Sequence, residues 1–384
     1  MDVTMFQMGF GESILIHQDD SCLLVDCGSE SSKRQQYFNN VNKELDNYLH
    51  KALLVSHFHT DHINGIKYLS RENLDNFERI YLPHIFAADD YSVELLITEY
   101  LLEALLDRRR RSSQIWGCLI PMVEANRPVV LLRKGVSFYS AGCSFQTLWP
   151  PEISENSKNV WEAFVEEHSV LQLPRQAILE LAQKTRRVVQ QIAGIADAPT
   201  QSETSGIELQ ALLQQFAVLR DGYIRTPWPN DVIALDIREA AWAAYKAIKN
   251  KNETSIVFQT TDESKQQILM TGDVTQDIME KVVAFDVSTI WPQKKQYDII
   301  KVPHHGTERY YFDFSRYYNY RKLYISNGET TWSERRRGKI SVKYFAAPHT
   351  SRIQCRNTQK RRCEYAMENG RCSNRCVECS VSDW

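Results

Sequence analysis

The feature that most constrains this chain is the run His57-Phe58-His59-Thr60-Asp61-His62, placed directly after the apolar stretch KALLVS (51–56). An apolar stretch of that length reads as a buried strand, so the fold must deliver three imidazoles and a carboxylate at one strand end. Imidazole and carboxylate are ligands for borderline divalent cations such as zinc. Residues two apart in extended backbone point the same way, so His57 and His59 can grip one ion. Asp61 and His62, on a turn that opens into a helix, can face a second. Packing alone does not explain why three of the ten histidines fall within six residues.

Other strand ends repeat the chemistry. Asp26 closes CLLVD (22–26), Asp273 closes ILMTGD (268–273), and His304 and His305 close IIKVPHH (299–305). Singly, each is as consistent with loop capping as with function; together with the histidine run they describe remote strand ends meeting at one place. Further strand-like segments are SILIH (13–17), ERIYLP (78–83), VVLLR (129–133), CSFQTLW (143–149), TSIVFQT (254–260) and KLYISNG (322–328). No nucleophile elbow, P-loop or dinucleotide fingerprint is present, and GFGES has too few glycines at the wrong spacing for the last.

The 384 residues suffice for one elaborated domain or two, at roughly 100–200 residues per domain. A net charge of −2 excludes a uniformly basic nucleic-acid coat but leaves room for local basic paths at Arg108–Arg111, Arg335–Arg337 and the tail. No apolar run reaches the 18 or more residues of a membrane span, and acidic Asp2 does not suit a signal peptide, so a cytoplasmic, membrane-free protein is expected. Helical periodicity is expected at 91–107, and again at 176–193 and 207–220 within a helical insertion. The leucine stripes of that insertion read as internal packing, although it is large enough to dock a protein partner or to cover a small pocket. The division expected is 1–151 and 251–335 as two halves of one fold, 152–250 as the insertion, and 336–384 as a basic, cysteine-rich tail. Nine cysteines without an export signal favour free thiols or metal ligation. Cys355, Cys363, Cys372, Cys376 and Cys379, with His349 upstream, are candidates for a structural zinc site, although their spacing matches no standard finger; the alternative is a reduced, loosely ordered tail.

The motifs VDCG (25–28), HFHTDH (57–62), TGD (271–273) and VPHHG (302–306), in this order, resemble the metallo-β-lactamase superfamily. Within it, FQMGFGESILI (6–16), FQTLWPP (145–151), NETSIVFQT (252–260) and IIKVPHHGT (299–307) look most like ComEC-type DNA-uptake domains and their stand-alone relatives. The resemblance implies an α/β fold, a four-layer αββα sandwich with its site at one edge, here carrying a helical insertion and the tail. It implies two divalent ions, Zn²⁺ or Mn²⁺, beyond any structural Zn²⁺ in the tail. His57 and His59 would hold one ion, Asp61 and His62 the other, with Asp273 bridging and one of His304 and His305 completing the second. Asp61 and Asp273 are then the candidate catalytic carboxylates, and Asp26 would orient a ligand histidine. Family members usually supply one more histidine between the HxHxDH loop and the bridging aspartate, where this chain offers only His84 and His168. The first function expected is a phosphodiesterase or nuclease acting on nucleic acid through a metal-activated hydroxide. The alternatives are a hydrolase of a small ester, amide, lactam or cyclic nucleotide, and a non-catalytic metal-binding module.

Overall fold

The computed structural model describes residues 1–29 except 7 and 9, 34–84, 125, 127–150, 251–284, 296–326, 341 and 344, and the backbone of short strands between 353 and 378. The chain falls into two compact units, one made of Met1–Pro83, Leu132–Pro151 and Lys251–Trp384, the other of His84–Leu131 and Glu152–Asn250. The helices expected at 91–107, 176–193 and 207–220 lie outside the described residues, as do Arg108–Arg111, His168, Arg335–Arg337 and His349. Among the described residues no helix is long and apolar enough to cross a membrane.

The first unit is α/β with two mixed sheets. Along the chain run β1 (Asp2–Met5), β2 (Ile14–Gln18), β3 (Ser21–Val25), α1 (Arg34–Leu45), β4 (His50–Leu54), α2 (Thr60–Ile63), α3 (Arg71–Asp75) and β5 (Phe77–Pro83). β1, β2 and β3 form an antiparallel meander, after which β4 adds parallel to β3 and β5 parallel to β4. A parallel pair needs a crossover, and α1 supplies the one between β3 and β4. Its Phe38, Val41 and Leu45 fall at steps of three and four and are fully buried, which is the stripe that a helix lays on a sheet. β3 and β4 read as near-continuous apolar runs because both faces of this sheet are covered.

There follow β6 (Val129–Leu132), β7 (Ser137–Ser140), β8 (Cys143–Trp149), β9 (Val257–Thr260), β10 (Ile268–Met270), α4 (Gln276–Ala284), β11 (Gln296–Lys301) and β12 (Asn319–Ile325). β7 through β10 pair antiparallel in sequence, then β11 and β12 add in parallel, with α4 as the crossover between β10 and β11. One face of this second sheet, carrying Val257, Leu269, Ile300 and Leu323, packs in a single cluster with Ile278, Met279 and Val282 of α4. On the other face Phe138, Phe145 and Phe258 meet ring to ring, and Tyr81 of the first sheet lies 4.8 Å from Phe138 and donates to the Tyr139 carbonyl at 3.0 Å. The second sheet therefore meets the first on the face turned away from α4.

Tail backbone continues the second sheet. β13 (Ile353–Cys355) lies parallel to β12, β14 (Cys363–Tyr365) antiparallel to β13, and after the small pair β15 (Met367–Glu368) and β16 (Arg371–Cys372), β17 (Val377–Glu378) closes on β14. Residues placed in a separate tail thus share a sheet with the fold's second half.

Two segments approach at Gly28 more closely than any side chain allows. A Cβ there would lie 1.9 Å from the Asp61 carbonyl oxygen and 2.3 Å from the His62 nitrogen. The seam is sewn by backbone: Cys27 N–H donates to the His62 carbonyl at 2.7 Å and Glu12 N–H to the Asp61 carbonyl at 3.0 Å. Gly28→Ala is therefore expected to lower unfolding stability by about 3 kcal/mol, the upper end for overpacking, because rigid backbone rather than a flexible side chain must yield. Denaturant unfolding reads it; a loss under about 0.5 kcal/mol would contradict the close approach.

Candidate metal centre

Parallel strands run in one direction, so their C-terminal ends share an edge, where open α/β sheets place ligand crevices. β3 and β4 are such a pair in the first sheet and β10 and β11 in the second, and each hands its chain to a candidate residue within a few positions. Among the described residues, five that are not glycine have φ above zero, and Asp26 (59°), His304 (47°) and His305 (56°) are three of them. Left-handed backbone at such residues costs of order 1–3 kcal/mol each, and strain of this kind collects at functional sites. Gly272 (54°) and Gly306 (73°) turn the same loops at no such cost.

The side chains converge on one oxygen. Asp273 Oδ2 lies 3.1 Å from His62 Nε2, 3.5 Å from His305 Nε2 and 3.9 Å from His57 Nε2. His59 joins through Nδ1, 3.0 Å from His57 Nε2, and Asp61 through Oδ2, 3.2 Å from His305 Nε2. His57, His62, Asp273 and His305 are buried, whereas Asp61 is a quarter exposed and opens the cluster to solvent. His304 points elsewhere: its Nδ1 is 2.9 Å from Thr307 Oγ1 and its ring stacks on Tyr310 at 3.8 Å. Of the two neighbouring histidines, His305 is the one the structure brings to Asp61 and Asp273.

Two groups of described residues could hold a metal ion, His57 with His62 and Asp273, and Glu12 with His62 and His305; within each, the ligand atoms lie within 4.8 Å of one another. Imidazole nitrogens and carboxylate oxygens in a buried pocket form a donor set that suits zinc or manganese. The grouping differs from the split expected from spacing, because His62 stands between the pairs. Its ring centroid is 4.1 Å from that of His57 and 5.2 Å from that of His305.

Asp26 lies behind His62 and holds it. One carboxylate oxygen accepts from Ser56 N–H at 2.6 Å; the other accepts from Ser56 Oγ at 2.6 Å and meets His62 Nδ1 at 2.8 Å. Burial pulls the His62 imidazole down, but Asp273 and Asp26 outweigh it and lift His62 well above its ordinary value of 6.5. His57 is held well below that value by burial and by its neighbour His62. Burial would raise the Asp61 carboxyl, yet the His305 hydrogen bond and the His62 and His305 charges keep it depressed.

Two participants went unrecognised in the sequence. Glu12, 1% exposed, and Lys301, fully buried, form an ion pair at 2.7 Å, and Lys301 Nζ also reaches Asp273 Oδ1 at 3.2 Å and the Gly272 carbonyl at 2.8 Å. A lysine inside the apolar run DIIKVP was the available signal, since buried lysines need partners.

The other candidates stand apart. His84 is buried but belongs to neither metal-competent group. Cys355 and Cys363 sit opposite each other in the β13–β14 register and Cys372 lies in β16, while Cys376 and Cys379 fall outside the described residues.

Comparison with known proteins bears on the N-terminal part. Residues 4–120 match the family model described as Anti-Pycsar protein Apyc1. A curated Anti-Pycsar protein Apyc1 from Paenibacillus harenae is 33% identical over 75 residues, which is 20% of this chain and 28% of that protein. A solved Thermotoga maritima structure described as a metallo-beta-lactamase aligns with 14% identity and a TM-score of 0.25, over 41% of this chain and 74% of its own. The ComEC-type refinement finds no support in these matches.

The His62–Asp26 contact generates a pH prediction for the chelator-stripped chain. A pKa raised on folding contributes stability that is complete below the unfolded value of 6.5 and is lost as pH rises through the folded value. Asp26→Asn should therefore destabilise most in mildly acidic buffer and less as the pH turns alkaline. Chemical denaturation across that range checks it, and a penalty that grows with pH would refute the assignment.

Proposed function

We propose that this chain is a metal-dependent hydrolase of the metallo-β-lactamase type acting on a small phosphodiester, with a cyclic nucleotide as the substrate class. The observation that carries the reading is the convergence of His57, His59, Asp61, His62 and His305 around Asp273 from strand ends far apart in sequence. The contact between the two sheets and the packing of α4 on the second support the αββα sandwich. The Apyc1 match covers β1 to β5 and the histidine loop and favours a cyclic nucleotide over a polymer.

On this reading His57, His59, Asp61, His62, Asp273 and His305 would hold the divalent cations. Divalent cations there supply Lewis-acid polarisation of a phosphoryl oxygen and lower the pKa of an attacking water. The chain does the positioning. Asp26 fixes the His62 ring through Nδ1, leaving Nε2 turned to Asp273, and the Ser326 carbonyl does the same for His305 through Nδ1 at 2.8 Å. Asp61, kept ionised and partly exposed, marks the side from which substrate enters.

Purified protein assayed with Zn²⁺ or Mn²⁺ on cyclic mononucleotides, linear DNA and single-stranded RNA tests the proposal. Cyclic nucleotides should be hydrolysed, with Asp61→Ala, His62→Ala and His305→Ala each costing at least about 100-fold, and His304→Ala less than about tenfold. Cleavage of the polymers alone would return the assignment to a nuclease, the reading based on the basic clusters. Metal binding without turnover of any of these would reduce the chain to a binding module.

A further inference from the structure

Asp273 has two carboxylate oxygens in two different environments. Oδ2 faces the imidazoles of His62, His305 and His57, at 3.1, 3.5 and 3.9 Å. Oδ1 faces away from them, 3.2 Å from the ammonium of Lys301. That ammonium is itself fixed, because it also meets Glu12 Oε2 at 2.7 Å and donates to the Gly272 carbonyl at 2.8 Å. Both ends of the arrangement are locked to backbone. Thr271 Oγ donates to the Lys301 carbonyl at 2.7 Å, and Asp273 N–H donates to Ser255 Oγ at 3.2 Å. Glu12 is anchored by its own main chain, whose N–H donates to the Asp61 carbonyl and whose carbonyl accepts from Gly28 N–H at 2.8 Å.

A lysine kept only to balance charge could sit anywhere among Glu12, Asp26, Asp61 and Asp273. This one reaches only one of the two Asp273 oxygens, Oδ1. A carboxylate offered to two cations can bridge them through one oxygen or span them with both, and the second mode holds the cations farther apart. With Oδ1 committed to an ammonium, only the first mode remains.

We propose that Lys301, braced by Glu12, is a positioning residue that commits Asp273 to present Oδ2 alone to the metal centre. The proposal rests on the metal-centre reading above. It assigns Lys301 no contact with substrate or cation. Removal of such a supporting partner commonly costs 10–100-fold in metal affinity.

The test uses the full chain, stripped by chelator and titrated with Mn²⁺, with bound metal counted by elemental analysis and the coupling between bound ions read by electron paramagnetic resonance. The wild type should bind two ions with an exchange-coupled spectrum. Lys301→Met should bind the second ion about 10–100-fold more weakly and lose the coupled spectrum. Because that variant strands a buried Glu12 carboxylate, the double variant Glu12→Gln with Lys301→Met, which leaves neither charge, carries the same expectation. An unchanged affinity and spectrum in the variants lacking Lys301 overturns the positioning role. A wild type that binds no Mn²⁺ sinks the metal reading itself, a failure visible before any variant is compared.

Discussion

A carboxylate taken out of water must be compensated, and the architecture of this chain is organised around compensating Asp273. Its four compensators come from two distant parts of the chain: His57 and His62 beyond β4, and Lys301 and His305 at and beyond the end of β11. The charges of His62, His305 and Lys301 hold its carboxyl well below the ordinary range even though burial pushes the other way. None of these partners is a sequence neighbour of Asp273, and the His62 contact spans 211 residues. The two sheets must therefore be docked before the carboxylate is satisfied, which couples completion of the fold to completion of the site.

The same coupling explains where the backbone is strained. Asp26 sits at φ 59° because its carboxylate has to turn back from the end of β3 to receive both Ser56 and His62. At the end of β11, two successive left-handed residues bring His305 to Asp61 and His304 to Thr307 and Tyr310. An extended backbone would alternate the two side chains across the sheet without bringing either back to the edge. The loops carry conformations that cost free energy on their own, and the surrounding packing holds them there.

Much of this was legible in the sequence because it depends on short-range pattern. Apolar runs of strand length, each closed by a histidine or aspartate, located β3, β4, β10 and β11 and the residues they deliver. Four things were not legible. The short β7 escaped because SFYS, with its alternating burial, has no apolar run to announce it. The choice between His304 and His305 is set by φ and ψ, for which adjacent identical residues offer no signal. Glu12 and Lys301 were hidden because a charge pair separated by 289 residues is invisible until the chain is folded, although a lysine inside a buried strand was a hint. The partition of ligands between the ions was likewise drawn from adjacency, and the position of His62 between the two groups blurs it.

The pairing of β8 with β9 has a consequence for how such a protein diversifies. Trp149 and Val257 are register partners, so the long stretch between them leaves and re-enters the fold at one point. The entropy of closing a loop grows only with the logarithm of its length, about 0.6 kcal/mol per doubling. Lengthening or trimming that stretch therefore adds little closure cost to the scaffold, because the β8–β9 register holds its two ends together whatever its length.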